Sequence, residues 1–189
     1  MNVKATNLSG VLLLEPRYFR DPRGYFVETY NAQAAHKAGL LAAFVQDNQA
    51  LSFKRGTVRA LHFQVPPKAQ AKLVRVLRGS IYDVAVDLRA GSSSYGQWME
   101  ATLTARGGEQ LFIPRGFAHG YCTLEDDTEV AYKVDEYYAP DCEQGIIWND
   151  PAFAIPWPVS TGDVVLSDKD RKLPRFADFS SPFGYDVSQ

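Results

Sequence analysis

The segment SIYDVAVDLR alternates strictly, so that Tyr82, Val84, Val86 and Leu88 share one face of an extended chain and Ile81, Asp83, Ala85 and Asp87 share the other. Two carboxylates on one of those faces set it apart from an ordinary dry core. Strands are also predicted over 10–15, 25–30, 57–63, 72–78, 98–103, 110–113, 120–123 and 129–137, segments rich in Val, Ile, Tyr, Phe and Thr and mostly bounded by Gly, Pro, Asn or Asp. Helical signal is scarce. Asn31 is a cap candidate for the alanine-rich run NAQAAHKAGLLAAF, with Gly39 as its stop, and a second short helix fits 167–172. Many short strands without repeats, linkers or low-complexity stretches predict a mainly β chain. The expected architecture is an antiparallel jelly-roll β-sandwich with a few short helices, one domain over 1–189, with a ligand in its mouth or interior.

The stretch VRALHFQVPP, residues 58–67, departs from the apolar pattern by carrying Arg59, His62 and Gln64 in a strand. In a regular strand His62 shares its face with Ala60 and Gln64, while Arg59, Leu61 and Phe63 point the other way. Taken alone, a strand histidine is more often a hydrogen-bonded structural residue than a functional one. His119, in IPRGFAHGY, is expected at the rim of the sheet, where its plainer role is to cap a turn. His36 falls in the predicted helix and reads as a surface residue. A cupin-type metal site wants His-x-His with a nearby glutamate and a later histidine; HFQ supplies one imidazole, and no metal is expected.

Composition narrows the ligand. The chain has 189 residues, 46% hydrophobic and 13% aromatic, enough for the core of one domain. A net charge of -2 and a pI near 5.9 argue against a broad basic surface for nucleic acid, so an anionic ligand is expected to be small and held by a few focused cations. Cys122 and Cys142 are too few for a metal quartet or a disulfide framework and read as reduced thiols. The opening MNVKATNLSG lacks the apolar centre of a signal peptide, and no apolar run reaches the length of a membrane span, so a soluble cytoplasmic protein is expected.

Several blocks, taken together and in order over about 8–175, resemble the dTDP-4-dehydrorhamnose 3,5-epimerase family. They are FRDPRGYFVETYN at 19–31, VQDN at 45–48, VRALHFQVPPKAQAKLVRVLRGSIYDVAVDLR at 58–89, SYGQW at 94–98 and LFIPRGFAHGY at 111–121, followed by AYKVDEYYAP at 131–140, IIWNDP at 146–151, IPWP at 155–158 and LSDKD at 166–170. The resemblance implies a cupin-like jelly-roll subunit of a homodimer that acts without a cofactor on a dTDP-linked 4-keto-6-deoxy sugar. It implies proton abstraction next to the ketone and inversion at C3 and C5 through an enolate.

On that resemblance His62 is the base, Asp170 the carboxylate that orients it, Tyr132 the acid on the opposite face, and Lys72 the cation near the 4-keto oxygen. An imidazole ordinarily titrates near ~6.5 and is mostly neutral at pH 7, as a base must be. Arg59 is assigned to the diphosphate, His119 to a substrate contact, Gln46 and Asn48 to hydroxyls and the base edge, and Tyr138 to stacking on thymine. Glu143 and Lys169 become peripheral contacts. Phe19, Arg23, Phe26 and Glu28, in the N-terminal segment, are implied to reach the neighbouring subunit's site. Without the family, Tyr132 reads as an ordinary strand tyrosine and Asp170 as a helix-start or surface carboxylate. Asp83 is expected to fix Lys72.

Two positions depart from the family's pattern: Ala60 stands where glycine is usual, and Ala50 where serine is common. A methyl beside the catalytic strand bears on the room left for the sugar, so action at C3 only, or on another 4-keto sugar, stays open. Two further readings also stay open at this point, a noncatalytic sugar-nucleotide-binding module and a metal-dependent cupin oxygenase or isomerase.

Overall fold

The computed structural model describes residues 2–185 and contains two antiparallel sheets. The first has six strands in the order β1 (Asn2–Ala5), β2 (Leu12–Glu15), β10 (Gln110–Ile113), β7 (Lys72–Arg78), β12 (Thr128–Val134) and β5 (Gln46–Ser52). The second has five, β13 (Glu143–Gly145), β6 (Val58–Gln64), β11 (Phe117–Thr123), β8 (Ser80–Asp87) and β9 (Trp98–Thr104). From β5 to β13 the chain keeps crossing between the sheets, staying in one only for the β8–β9 hairpin, which is the jelly-roll pattern expected from the sequence. A separate hairpin, β3 (Tyr18–Asp21) with β4 (Gly24–Val27), belongs to neither sheet.

Packing explains why the alternation over 81–88 has two apolar faces. Ile81 and Ala85 join Val74, Val76, Leu103, Leu111, Phe117, Tyr121 and Val130 in the core between the sheets. Val84, Val86 and Leu88, with Val58, Leu61, Phe63 and Cys122, are covered on the outside of the second sheet by Ile146, Trp148, Phe153, Trp157 and Phe183 of the C-terminal segment. A third cluster seats Ala35 and Leu40 on Leu14, Leu73 and Phe112, outside the first sheet. Of the two carboxylates on the polar face of 81–88, Asp87 is an anchor. It accepts from Arg89 Nε at 2.9 Å, from Ser92 Oγ at 2.7 Å and from Ser94 Oγ at 2.7 Å. Burial pushes this carboxyl up, and those bonds outweigh burial and hold it low.

The predicted helix is shorter than its alanine run. α1 covers Ala32–Lys37, with the Asn31 side chain accepting from Gln33 N and Ala34 N, and Gly39 at φ +91 turns the chain out of the helix. The short helix expected over 167–172 is a 3-10 turn at Asp170–Lys172. The sequence pattern does not reveal β1, β3, β5 or β13. β5 is an edge strand reading QDNQALS, and so polar a sequence carries no hydrophobic alternation to detect.

The largest departure from expectation lies in β6. His62 pairs with His119 and Arg59 with Tyr121, so three steps along β6 match two along β11: a β-bulge. Arg59 and His62 therefore face the same side, the space between the sheets, where a regular strand sets them on opposite sides. Ala60 moves the other way, into the fully buried outer cluster with Ala118 and Cys122. There its methyl packs on Gly120, where a Cβ would overlap the Ala60 methyl and lie 2.8 Å from Ala60 Cα and 3.0 Å from the Arg59 carbonyl oxygen.

Gly120→Ala is expected to destabilise the protein by about 1–3 kcal/mol through overpacking, and adding Ala60→Gly to recover only part of that loss, because the backbone contacts with the Cα of residue 60 and the Arg59 carbonyl oxygen remain. Denaturant unfolding of both variants checks it; an unchanged midpoint for Gly120→Ala contradicts the packing described.

Candidate active site

A cleft of about 330 Å³ opens between the sheets, lined from β5 by Gln46 and Asn48, from β6 by His62, Phe63 and Gln64, from the connection before β7 by Gln70, from the start of β7 by Lys72, and from β12 by Tyr132, with Tyr138 and Glu143 at its mouth. A larger groove of about 800 Å³ lies on the far side of the 65–71 connection, among Pro66, Ala69, Ala71, Pro114 and Pro182. Its Arg115 and Asp135 neutralise each other at 2.9 Å. Convergent polar groups, more than volume, mark a site, and they converge in the smaller cleft.

His62 Nε2–H donates to Asp170 Oδ1 at 2.6 Å, with the histidine side chain 27% exposed and the aspartate 5%. The carboxylate arrives from a 3-10 turn 108 residues away, and its backbone N–H donates to Ser167 Oγ at 3.0 Å. This bond occupies Nε2 and leaves Nδ1 as the basic nitrogen. On the opposite sheet Tyr132, in register with Asn48 and Val74, lines the same cleft. Burial pushes its phenol up, Arg59 pulls it down and Glu143 pushes it up again, so it keeps its proton at neutral pH.

Lys72 closes the arrangement. Its Nζ donates to the His62 carbonyl oxygen at 3.2 Å. Burial lowers its pKa to about 8, against the pull of Asp83 and Glu143, which favour the charged form. Asp83 thus supports the Lys72 charge through its field, while its hydrogen bond goes elsewhere, to His119 Nε2 at 2.6 Å.

His119 is a correction to the rim placement. It sits inside β11, buried, facing the interior beside His62, and the turn that flanks it comes earlier, at Gly116 with φ +88. Burial pushes its imidazole down and Asp83 opposes that. Asp83 Oδ2 and the Tyr121 hydroxyl, both buried, have no hydrogen-bond partner among the described residues.

The mouth is a chain of contacts. The Tyr138 hydroxyl donates to Glu143 Oε2 at 2.7 Å, and the same oxygen pairs with Lys169 Nζ at 2.5 Å. Burial pushes the Glu143 carboxyl up, and Lys169 and Tyr138 outweigh it and hold it below its usual range. Gln46 accepts from the Tyr138 backbone N–H at 3.1 Å and donates to Asn48 Oδ1 at 2.8 Å. Arg59 is exposed and reaches β5, with Nε 3.4 Å from Ser52 Oγ and a second guanidinium nitrogen 3.2 Å from the Leu51 carbonyl oxygen.

The N-terminal group stands apart. Phe19 and Phe26 are 51% and 70% exposed on the β3–β4 hairpin, Arg23 pairs with Asp21, and Glu28 accepts from Asn31. None of these four lines the cleft of its own chain. Gln70 does not stand out in the sequence, although its place two residues before Lys72 puts both on one side of an extended segment. Among the described residues no cluster of three or more His, Cys, Asp or Glu side chains has the spacing to hold a metal ion, and no helix is long and apolar enough to cross a membrane.

A base held by its orienting carboxylate on one wall, with an acid and a half-buried cation on the other, can move protons at both faces of a flat, carbonyl-activated carbon. Residues 5–178 match the family described as dTDP-4-dehydrorhamnose 3,5-epimerase. A relative of that name from Sinorhizobium fredii is 45% identical, covering 98% of this chain and 94% of its own. The crystal structure of the Bacillus anthracis dTDP-4-dehydrorhamnose 3,5-epimerase with TDP and PPi bound is 52% identical, with a TM-score of 0.89 over 92% of this chain and 98% of that one. The dTDP-6-deoxy-D-glucose-3,5-epimerase of Legionella pneumophila, solved with dTDP-4-keto-L-rhamnose, is 37% identical with a TM-score of 0.93 over 98% and 99% of the two chains.

Asp83→Asn is expected to lower the Lys72 pKa below about 8, because the Asp83 carboxylate does more than any other group to offset the effect of burial on the ammonium. Side-chain NMR titration of the lysine ammonium reads it, and an unmoved midpoint contradicts the electrostatic link.

Proposed function

We propose, for a chain that belongs to the dTDP-4-dehydrorhamnose 3,5-epimerase family, that the cleft between the sheets inverts C3 and C5 of a dTDP-4-keto-6-deoxyhexose with His62 and Tyr132 on opposite faces of the sugar. The protein is an isomerase, and its substrate class is the dTDP-linked 4-keto-6-deoxy sugar. The observation that carries the assignment of roles is that His62, held by Asp170, and Tyr132 line one cleft from opposite sheets.

Neutral His62 takes the proton from the carbon beside the ketone through Nδ1, and the C–H electron pair moves into an enolate whose oxygen carries the charge. Asp170 holds the imidazole and supports the imidazolium once formed, as the carboxylate of a hydrolase triad does for its histidine. The Lys72 ammonium stabilises the enolate oxygen. Tyr132 then delivers its phenolic proton from the other side, which inverts the centre, and solvent returns His62 and Tyr132 to their starting states before the second carbon reacts.

Arg59 serves the diphosphate, where its planar fork pairs with phosphate oxygens. Gln46, Asn48, Tyr138, Glu143 and Lys169 line the nucleotide side, and His119, bonded to Asp83, borders the sugar. The exposed Phe19 and Phe26 with Arg23 and Glu28 complete the cleft of a second copy in a homodimer, a reading supported by their taking no part in lining their own cleft and by their exposed apolar rings. One domain over 1–189 and a cytoplasmic place belong to the same proposal, the latter resting on the free thiols Cys122 and Cys142. Action at both carbons is favoured by Ala60, whose methyl lies in the outer cluster and takes no room from the sugar. Ala50, on the inward-facing side of β5 with Asn48 and Ser52, is the position where a narrower substrate range would originate.

In deuterated water the enzyme is expected to give product from dTDP-4-keto-6-deoxyglucose carrying two solvent deuterons by mass; one deuteron means a single centre, and none removes the epimerase reading. The alkaline limb of kcat/KM is expected near pH 8. Lys72 is charged below its lowered pKa of about 8 and loses its charge above it, whereas Tyr132, pushed above the ordinary phenol range, ionises later. Lys72→Arg, whose guanidinium stays charged, should move the limb upward. A limb that stays in place assigns it to another group.

A further inference from the structure

We propose that Gln64 is the positioning residue for the nucleotide wall of the cleft, setting affinity for the dTDP half of the substrate by holding the turn that carries Tyr138; this rests on reading Tyr138 as a nucleotide contact. Gln64 ends β6, two residues after His62, and is buried at 4% exposure. A buried amide in an apolar strand demands an explanation, and the cleft does not supply it. Nε2 donates to the Lys68 carbonyl oxygen at 2.6 Å and to the Tyr137 carbonyl oxygen at 3.2 Å, and Oε1 accepts from Ala139 N at 2.8 Å. Both amide hydrogens are used on the protein's own backbone, so none is left for a ligand.

The turn between β12 and the 3-10 turn at Pro140–Cys142 lies outside both sheets. Side chains from neighbouring elements hold its backbone in place of a ladder. Gln70 donates to the Glu136 carbonyl oxygen at 2.7 Å, Gln46 accepts from Tyr138 N, and Gln64 takes Tyr137 O and Ala139 N. Gln64 alone grips the residues immediately before and after Tyr138, and it alone of the three glutamines is buried, where hydrogen bonds are sheltered from water. Its third bond, to Lys68 O, ties the same amide to the 65–71 connection, which carries Gln70 and leads into Lys72. Without it, placing the Tyr138 ring becomes a cost of binding. No side-chain hydrogen bond joins Gln64 to His62, Asp170, Tyr132 or Lys72, so the chemical step should be spared.

The test is a double-mutant cycle on the full-length enzyme, with calorimetric Kd for dTDP and steady-state kcat and KM for the 4-keto sugar nucleotide. Gln64→Leu is expected to raise Kd and KM about tenfold, the scale of a lost buried hydrogen bond, with kcat within about twofold. Tyr138→Ala should weaken dTDP binding as well, and adding Gln64→Leu to it should weaken binding no further. Gln64→Glu keeps the shape and the acceptor for Ala139 N but cannot donate; it should show the same split, and it carries the test if the leucine variant does not fold. If Tyr138→Ala leaves dTDP binding unchanged, the nucleotide role of Tyr138 fails and the proposal with it. If Tyr138→Ala weakens binding while the Gln64 variants do not, or the two effects add in full, or kcat falls in step with the rise in KM, the positioning role alone is overturned.

Discussion

Everything in the cleft depends on one hydrogen bond, from His62 Nε2 to Asp170 Oδ1 at 2.6 Å. A strand imidazole is free to present either nitrogen and to turn about its side-chain torsions until a partner chooses for it. The partner here comes from the far end of the chain, and the packing that delivers it is hydrophobic: Trp148, Phe153, Trp157 and Phe183 bury the outer face of the second sheet and in doing so bring the Asp170 turn against β6. Leu173, just beyond that turn, packs so closely on Gly145 that a Cβ there would lie 2.8 Å from its Cδ1. The C-terminal segment therefore serves folding and site assembly through the same contacts.

The second constraint is the bulge in β6. It uses one extra residue to put Arg59 and His62 on the same face and to send Ala60 outward onto Gly120. The inner face of the second sheet then carries two rows, Arg59, Tyr121 and Asp83 in one and His62 with His119 in the next. Against these stand Tyr132 and Lys72 from the first sheet. Burial sets the working states of the last two in useful directions, keeping the phenol protonated as an acid and making the ammonium easier to neutralise, while Asp83 and Glu143 keep enough negative potential nearby to hold the lysine charge.

How much of this is legible in the chain varies with the kind of signal. Strands buried on one or both faces announce themselves through Val, Ile and aromatic runs, as at 72–78 and 81–88. The polar edge strand at 46–52 does not, because a strand that buries little has no reason to alternate. The bulge leaves no mark, since RALHF reads equally well as a regular strand, and a regular strand puts Arg59 and Ala60 on the wrong faces. His119 is placed wrongly by its neighbours because Pro114 and Gly116 signal a turn whose end they do not show. The His62–Asp170 pairing is visible only through resemblance, for no local pattern ties residues 108 apart. Gln64 stays hidden because its task is to bond backbone, which the one-letter sequence does not display.

The measurement that bears most directly on two-faced proton transfer is the stereochemical fate of exchange in the separated variants, Tyr132→Phe and His62→Ala, each incubated with the 4-keto sugar nucleotide in deuterated water. With the base intact and the opposite acid removed, Tyr132→Phe should still exchange the proton beside the ketone but return it to the same face, giving labelled sugar of unchanged configuration, while His62→Ala should neither exchange nor invert. Inverted product from Tyr132→Phe at the wild-type rate, or undiminished exchange by His62→Ala, would contradict the account.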